Sequence, residues 1–388
     1  MNCYKVVEKM SGDCFMTDKL NFFISGMDAG VRNHVLSDIY PKIGKNLIIL
    51  DDSENAGMLN IKEIQAAGYQ VKNGFSGEFS LYNPLRIDSI NGIARLRELM
   101  KVMGYDEKQK QKLIAYLKFI EHIEGLFGTE EDNILTLEIL GSYSSNMYVE
   151  MKIQKLVSEN IIDSDQQLYL LSKYSEVCDV AADFENSFYI LAPFIRGKNK
   201  LTSHADLTAY LFSFKEMETD IVMKNIVTHL LLYDIADNIN ERFAILILDK
   251  GMGERPYILK LLTALPEWAE VYLVSPDIFT LVNNNMLSMI MNRFAVRIYS
   301  KHLAMDSCRF IEELLGEINV VKQSYAVNYD CRWSANKPLD ILWGRNKTEG
   351  YVTNPSVREP KYRKEMIARL HQGEAIIEYG GRSLLVSL

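Results

Sequence analysis

The run Phe22-Phe23-Ile24-Ser25-Gly26-Met27-Asp28-Ala29-Gly30-Val31-Arg32-Asn33-His34-Val35-Leu36 holds the residues whose types and spacing come nearest to chemistry. An apolar stretch leads into a glycine-bearing turn and then into the start of a helix. That is the order of elements in a phosphate-binding loop. Such a loop cradles phosphates in backbone N–H groups at a helix N-terminus, neutralises them with a lysine and holds Mg2+ through a hydroxyl. The pattern is a glycine, four spacers, then Gly-Lys-Ser/Thr. With Gly30 on the second glycine, Ser25 stands on the first, Val31 on the lysine and Arg32 on the hydroxyl. Gly26 and Gly30 keep the turn, while the lysine and the hydroxyl are gone. Arg32 supplies charge, but a guanidinium is a pure donor and cannot ligate Mg2+. Taken alone, the two glycines fit either a plain tight turn or a nucleotide loop that has lost its chemistry.

Two further stretches bear on that choice. Phe243-Ala244-Ile245-Leu246-Ile247-Leu248-Asp249 is an apolar strand ending in an acid, as a Walker B strand does. The acid that would polarise water normally follows at once. Here Lys250 follows and reverses the charge, so Asp249 is expected to pair with Lys250 or with Arg32. Leu273-Val274-Ser275-Pro276-Asp277 ends where a polar side chain would sense phosphate, and Pro276 cannot donate a hydrogen bond. The six histidines form no HExxH and stand at no ligand spacing to cysteine, so no metal site is expected. A G-x-S-x-G elbow is absent too. No residue is assigned a catalytic role.

The elements that must position these residues read as alternating strands and helices. Strands are expected at Leu20–Ile24, Lys45–Asp52, Tyr69–Val71, Leu207–Phe214, Phe243–Asp249, Val271–Ser275 and Ala295–Tyr299. Helices are expected at Val31–Tyr40 (broken by Pro41 and Gly44), Met58–Ala67, Glu218–Asn238, Pro256–Leu265, Phe279–Met291 and Asp306–Leu315. Continuous apolar runs such as Leu47–Leu50 mark strands covered on both faces, hence a parallel sheet. The tail reads as a hairpin across Gly380-Gly381.

Between about Ile90 and Phe184 glycine and proline thin out and the period becomes helical. Leu113, Tyr116, Leu117 and Ile120 form one apolar stripe, Leu96, Leu99, Met100 and Met103 another, and Met151, Ile153, Leu156 and Val157 a rougher third. The chain thus divides into an α/β domain in two pieces, residues 1–92 and 195–388, around an all-α insertion at 93–194.

Composition narrows the function classes. The 388 residues are 48% hydrophobic and 24% charged, as in a globular chain with a large core, and the net charge is -8. That acidity argues against a generally nucleic-acid-binding surface. The stretch Arg293–Arg369 is locally basic, with Tyr325, Tyr329, Trp333, Trp343, Tyr351 and Tyr362 interleaved. It reads as solvated loops around a local core, or as a nucleic-acid groove. Five scattered cysteines without a CxxC point to reduced thiols in the cytoplasm. Neither a signal peptide nor a membrane span is expected.

In their order the motifs resemble the TraG/TraD-type coupling proteins of conjugation and type IV secretion, within the RecA-like and FtsK/HerA-like ATPases. The matching segments are Ser25–Arg32; Leu47-Ile48-Ile49-Leu50-Asp51-Asp52-Ser53-Glu54; Gly68-Tyr69-Gln70-Val71; Tyr82-Asn83-Pro84-Leu85; the strand ending at Asp249; Leu273–Asp277; Leu314-Leu315-Gly316-Glu317; and Arg358-Glu359-Pro360 with Glu365–Leu370. The helical block falls where that family carries one. The resemblance implies a RecA-like P-loop NTPase fold with an inserted all-α domain, a ring of like or unlike subunits, and partners among type IV secretion or relaxosome proteins, with DNA as a further candidate. It also implies a place in the cytoplasm or at the inner face of the membrane.

Val31, Arg32, Lys250 and Pro276 stand where the family has its lysine, hydroxyl, glutamate and sensor glutamine. The expectation is therefore a pseudo-ATPase that serves as scaffold or adaptor, with no cofactor and with Ser25, Gly26, Gly30, Val31, Arg32, Asp249, Lys250 and Pro276 as the relic of a nucleotide site. Two alternatives stay open. One is an active ATPase that binds ATP and Mg2+ through substitutes such as Arg32 or Lys45. The other is a DNA-binding module.

Overall fold

The computed structural model describes residues 5–7, 10, 20–52, 59–74, 100, 104–127, 137–181, 205–214, 231, 235, 241–249, 261–278, 290–321, 324–328, 349–353 and 356–388. The chain separates into two compact units, residues 1–300 with 372–388, and residues 301–371. The expected helix at Glu218–Asn238, the Tyr82–Leu85 turn and Lys250 lie wholly or mostly outside the described residues.

The first unit is built on a nine-stranded sheet. Its strands are β1 (Phe22–Ser25), β2 (Asn46–Asp51), β3 (Gln70–Asn73), β4 (Thr208–Ser213), β5 (Phe243–Leu248), β6 (Glu270–Ser275), β7 (Val296–Tyr299), and later β12 (Glu374–Tyr379) and β13 (Arg382–Ser387). The order is β13-β12-β7-β1-β6-β5-β2-β4-β3. All pairs from β7 to β3 are parallel, and the C-terminal hairpin β12–β13 adds antiparallel to β7. The expected α/β fold and mostly parallel sheet are present.

Strands β1, β2, β5 and β6 are buried along their whole length, which requires cover on both faces. One cover is α1 (Ala29–Ile43). Its Val31, Val35, Leu36, Ile39 and Ile43 join Phe22, Ile24, Leu47, Ile49, Leu246 and Val274 in one core cluster. Those strand residues alternate, so they share one face of the pleat. α1 runs through Pro41 instead of ending before it and stops at Gly44, whose φ of 60° is the left-handed cap that glycine adopts without strain. Pro41 has no N–H to give to the carbonyl four residues back, so it removes one bond from the last turn, two residues before the helix ends.

The described part of the helical block contains α2's successors only: after α2 (Ile61–Ala66) and β3 come α3 (Glu107–Leu126), α4 (Leu137–Tyr143), α5 (Asn146–Ser158) and α6 (Ser164–Val177). Asp106 and Asp163 each close a reciprocal capping box with a glutamine three residues on. The stripe Leu113, Tyr116, Leu117, Ile120 is buried as expected. On α5 the buried residues are Val149, Ile153 and Leu156, whereas Met151 is 57% exposed. Ile153 and Leu156 of the expected stripe are buried and Val149 joins them, whereas Met151 falls off that face because 149, 153 and 156 follow the i, i+4, i+7 spacing and 151 does not.

The second unit holds α7 (Met305–Leu315), β8 (Glu317–Val321), β9 (Ser324–Asn328), β10 (Glu349–Thr353), β11 (Ser356–Pro360) and α8 (Lys364–Ala368). α7 carries the expected helix and ends at Gly316. The four strands were not anticipated. They form two antiparallel ribbons, β8–β11 and β9–β10. Glu317 faces Pro360 and Ser324 faces Thr353, so both ribbons share one register. Sequences such as Ser324-Tyr325-Ala326-Val327-Asn328 lack the clean alternation of a half-buried strand, which hid them, whereas Glu317-Ile318-Asn319-Val320 does alternate and was a missed signal.

Candidate functional site at the carboxyl edge of the sheet

Parallel strands bring their carboxyl ends to one edge, and open α/β sheets bind ligands there. In this chain β6 stands between β1 and β5, so the edge carries Ser25, Ser275, Asp249, Asp51 and Asp52 in neighbouring positions. Backbone bonds knit them together. Gly26 N donates to Ser275 O at 3.1 Å, Asp249 N to Val274 O at 2.8 Å, Asp52 N to Leu248 O at 2.9 Å and Ser300 N to Ser25 O at 2.8 Å. Ser25, Ser275 and Asp249 are all at most 1% exposed. Ser275 Oγ lies 2.9 Å from Asp249 Oδ2 and 2.8 Å from the Asp277 carbonyl oxygen. Sequence reasoning had put Ser275 only in the neighbourhood of the site; its hydroxyl is what holds Asp249.

The loop itself is organised by Asp28. Gly26, at φ 123°, turns the chain out of β1 in a conformation suited to glycine. Asp28 is then the N-cap of α1. Its Oδ1 accepts from Gly30 N at 2.8 Å and from Val31 N at 3.2 Å, and its Oδ2 accepts from Gly373 N at 2.7 Å. These are the kind of amides a phosphate would use. An aspartate just before a helix start is a legible capping signal. Gly373, more than three hundred residues downstream, carries no such signal.

The two substituted positions are both turned inward. Val31, in the lysine's place, is 1% exposed and belongs to the core cluster. Arg32, in the hydroxyl's place, is 6% exposed, and its Nε has no hydrogen-bond partner. Burial pushes its pKa below the usual arginine value, and the nearby Asp28 charge works in the other direction. Arg32 makes no ion pair with Asp249, so that expected pairing is not formed; Asp249 is instead engaged by Ser275.

Lys45 is also out of reach. It precedes β2 and pairs with Glu270 Oε2 at 2.6 Å, at the first residue of β6. That is the amino edge, roughly 17 Å along the strands from Asp249. A cavity of about 460 Å³ lined by Asn21, Thr263, Glu267 and Arg293 likewise adjoins the amino ends of β1, β6 and β7. Pro276 follows β6 directly and is half-buried. Among the described residues no cluster of three acidic, histidine or cysteine side chains could hold a metal ion.

A scan of protein-family models finds no match to the sequence, and neither does a search of curated proteins. Solved structures do match. The bacterial conjugative coupling protein TrwBdeltaN70 in its unbound form superposes with a TM-score of 0.53 at 11% identity, over 99% of this chain and 91% of that one. The chain has the TrwB fold. Two further TrwB structures, one in complex with ADP and Mg2+ and one with sulphate, each give a TM-score of 0.52 at 10% identity, covering 99% of this chain and 92% of theirs. The RecA-like P-loop NTPase fold expected from the order of motifs is therefore the observed one. The TrwB likeness is a likeness of fold, and the chemistry of this chain is set by its own loop.

Proposed function

We propose that the chain is a coupling-protein-like pseudo-ATPase, a scaffold or adaptor in a conjugative or type IV secretion DNA-transfer system. The fold supports the setting. TrwB is a conjugative coupling protein and is seen with ADP and Mg2+; on this reading the present chain keeps the architecture without that chemistry. The observation that carries the reading is the Asp28 carboxylate on the amides of Gly30 and Val31. On this reading a negative charge already occupies amides that a phosphate would use. Beside it, the lysine position is a buried valine and the hydroxyl position a buried arginine. ATP and Mg2+ do not fit these residues. Lost charge stabilisation of phosphoryl transfer costs orders of magnitude in rate.

Among the described residues no helix is long and apolar enough to cross a membrane. The partners proposed are type IV secretion or relaxosome proteins, including an active relative in a mixed ring. The domain division is proposed as 1–92 with 195–388, and 93–194. Titration with ATP and Mg2+, read by calorimetry and thermal shift, is expected to show neither binding nor turnover. Saturable ATP binding with Mg2+ would overturn the reading. Pull-down with and without residues 93–194 then tests whether the insertion carries the partner contact.

A further inference from the structure

Among the described residues the nine-stranded sheet ends in two outer strands, β3 on one flank and β13 on the other. An outer strand presents a row of unpaired backbone groups and accepts a further strand unless something prevents it. β3 is guarded, being four residues long and carrying Lys72. β13 is not. Its Arg382-Ser383-Leu384-Leu385-Val386-Ser387 pairs with β12 at six consecutive positions, with no bulge, no proline and no lysine. Leu384 is 40% exposed and Leu385 36%, and as neighbours in a strand they stand on opposite faces. The flank is therefore apolar on both sides of the sheet.

The turn fixes which backbone groups of β13 face outward. Tyr379 and Arg382 close a two-residue hairpin across Gly380 and Gly381, both at positive φ, and Leu388 N donates to Gly373 O at 2.8 Å. Arg382, Leu384, Val386 and Leu388 thus turn their N–H and C=O toward the inner strand, and Leu385 and Ser387 turn theirs away from it. The one charged side chain of β13 is already engaged, since Arg382 Nη1 donates to Met10 O at 2.8 Å.

We infer that β13 pairs antiparallel with β13 of a second copy of this chain, about a two-fold axis at Leu385, so that two nine-stranded sheets join into one. The strand is self-complementary in that register. Leu385 meets Leu385 of the second copy, Leu384 meets Val386, and Arg382 falls opposite Leu388, so no charge faces its like. A foreign strand would find no free charge on β13 to select it, whereas a second copy finds a matching apolar side chain on each face. The contact uses one patch twice and closes at two copies, unlike the head-to-tail contact of a ring. It does not depend on whether the loop binds nucleotide.

The test is sedimentation of the full chain across a concentration series. A single strand pair falls short of the roughly 1,200 Å² of a stable interface, so wild type is expected to be half dimeric at about 10–100 µM. Leu385→Lys and Leu385→Glu change an exposed side chain, and each is checked for native circular dichroism. Each alone sets like charges together at the axis and should weaken the dimer at least about tenfold. Their equimolar mixture sets lysine against glutamate and should recover it. Ser387→Pro deletes one outward N–H while keeping every bond to β12, and should weaken the dimer also.

Hydrogen exchange on wild type reads the same contact without a mutation: the Leu385 and Ser387 amides should slow as concentration rises. A wild type that stays monomeric throughout the series overturns the inference. So does a dimer or larger assembly that both Leu385 variants leave unchanged, because the contact would then lie elsewhere. A mixture of the two charge variants that associates no better than either alone would remove the two-fold register. Should the Leu385 variants fail to fold, Ser387→Pro and the concentration dependence of exchange decide: no change in either overturns the pairing.

Discussion

The two edges of the central sheet treat charge in opposite ways. At the amino edge, Lys45 and Glu270 meet at 2.6 Å, and the Tyr272 hydroxyl donates to the same carboxylate. Asn21 bridges β6 and the turn before β7 through Val271 N and Arg293 O. The Arg293 guanidinium donates to the carbonyls of Leu262, Leu265 and Pro266. Each of these side chains reaches a neighbour, although the Arg293 Nε itself has no hydrogen-bond partner, and the result is a staple. At the carboxyl edge the cation, Arg32, is buried without an ion pair among the described residues, and the anion, Asp28, accepts from backbone amides. An edge made to receive a charged ligand would leave those amides open. The contrast teaches that the carboxyl edge turns its own carboxylate onto the loop amides, while the opposite edge joins side chains across neighbouring strands.

Mutations should separate the edges by sign as well as size. The largest effect is expected for Glu270→Ala, which strands the buried Tyr272 hydroxyl and leaves Lys45 unpaired. About 2–4 kcal/mol of stability should be lost in urea denaturation. A loss under about 0.5 kcal/mol would show that the amino edge is not stapled. Ser275→Ala removes the hydroxyl that meets Asp249 and should cost about 1–2 kcal/mol by the same measurement.

Gly30→Ala comes next, at about 0.5–1 kcal/mol, because its methyl must push on Asp28 Oδ1. A double-mutant cycle sharpens this: in the Asp28→Gly background the same change should cost almost nothing. Arg32→Met is predicted to lie within about 0.5 kcal/mol of wild type or to stabilise, since it replaces an unpaired buried cation with an apolar side chain of similar length. If Arg32→Met destabilised as strongly as Glu270→Ala, the proposed difference between the edges would collapse.

The smallest effect under ordinary conditions concerns the buried phenols. Tyr40 and Tyr299 are held well above the normal tyrosine range, first by burial and then by nearby carboxylates, Glu63 and Asp51 for Tyr40 and Glu378 for Tyr299. The folded state therefore binds these protons more tightly than the unfolded chain, whose phenols titrate near about 10. Their contribution is fully present below that value and is lost as pH rises past it. Melting temperature should be flat with respect to these groups up to about pH 10 and fall beyond it; a fall that began near neutrality would need other groups.

Much of this molecule was determined by local sequence. The apolar runs at Leu47–Leu50, Phe243–Leu248 and Val271–Val274 could only be strands covered on both faces, and they are. Glycine ended helices at Gly44 and Gly316, and the C-terminal hairpin turned where Gly380-Gly381 allowed. The loss of lysine and hydroxyl at Val31 and Arg32 was also plain from residue types.

What local pattern could not supply was the identity of neighbours. The two ribbons of β8 to β11 join residues from Asn328 and Glu349 out to Glu317 and Pro360, and only β8 alternates clearly. Pairing Lys45 with Glu270 depends on strand order, which no short-range signal encodes. The same holds at the loop. The sequence reading assigned Asp28 no role, and that it caps α1 with one oxygen and meets Gly373 with the other was decided only when β12 added to the sheet beside β7. Residue types determined that the loop lacks the lysine and the hydroxyl of a phosphate-binding loop. The tertiary structure decided which groups meet at that loop, because a hydrogen bond between residues 28 and 373 exists only once the chain has folded.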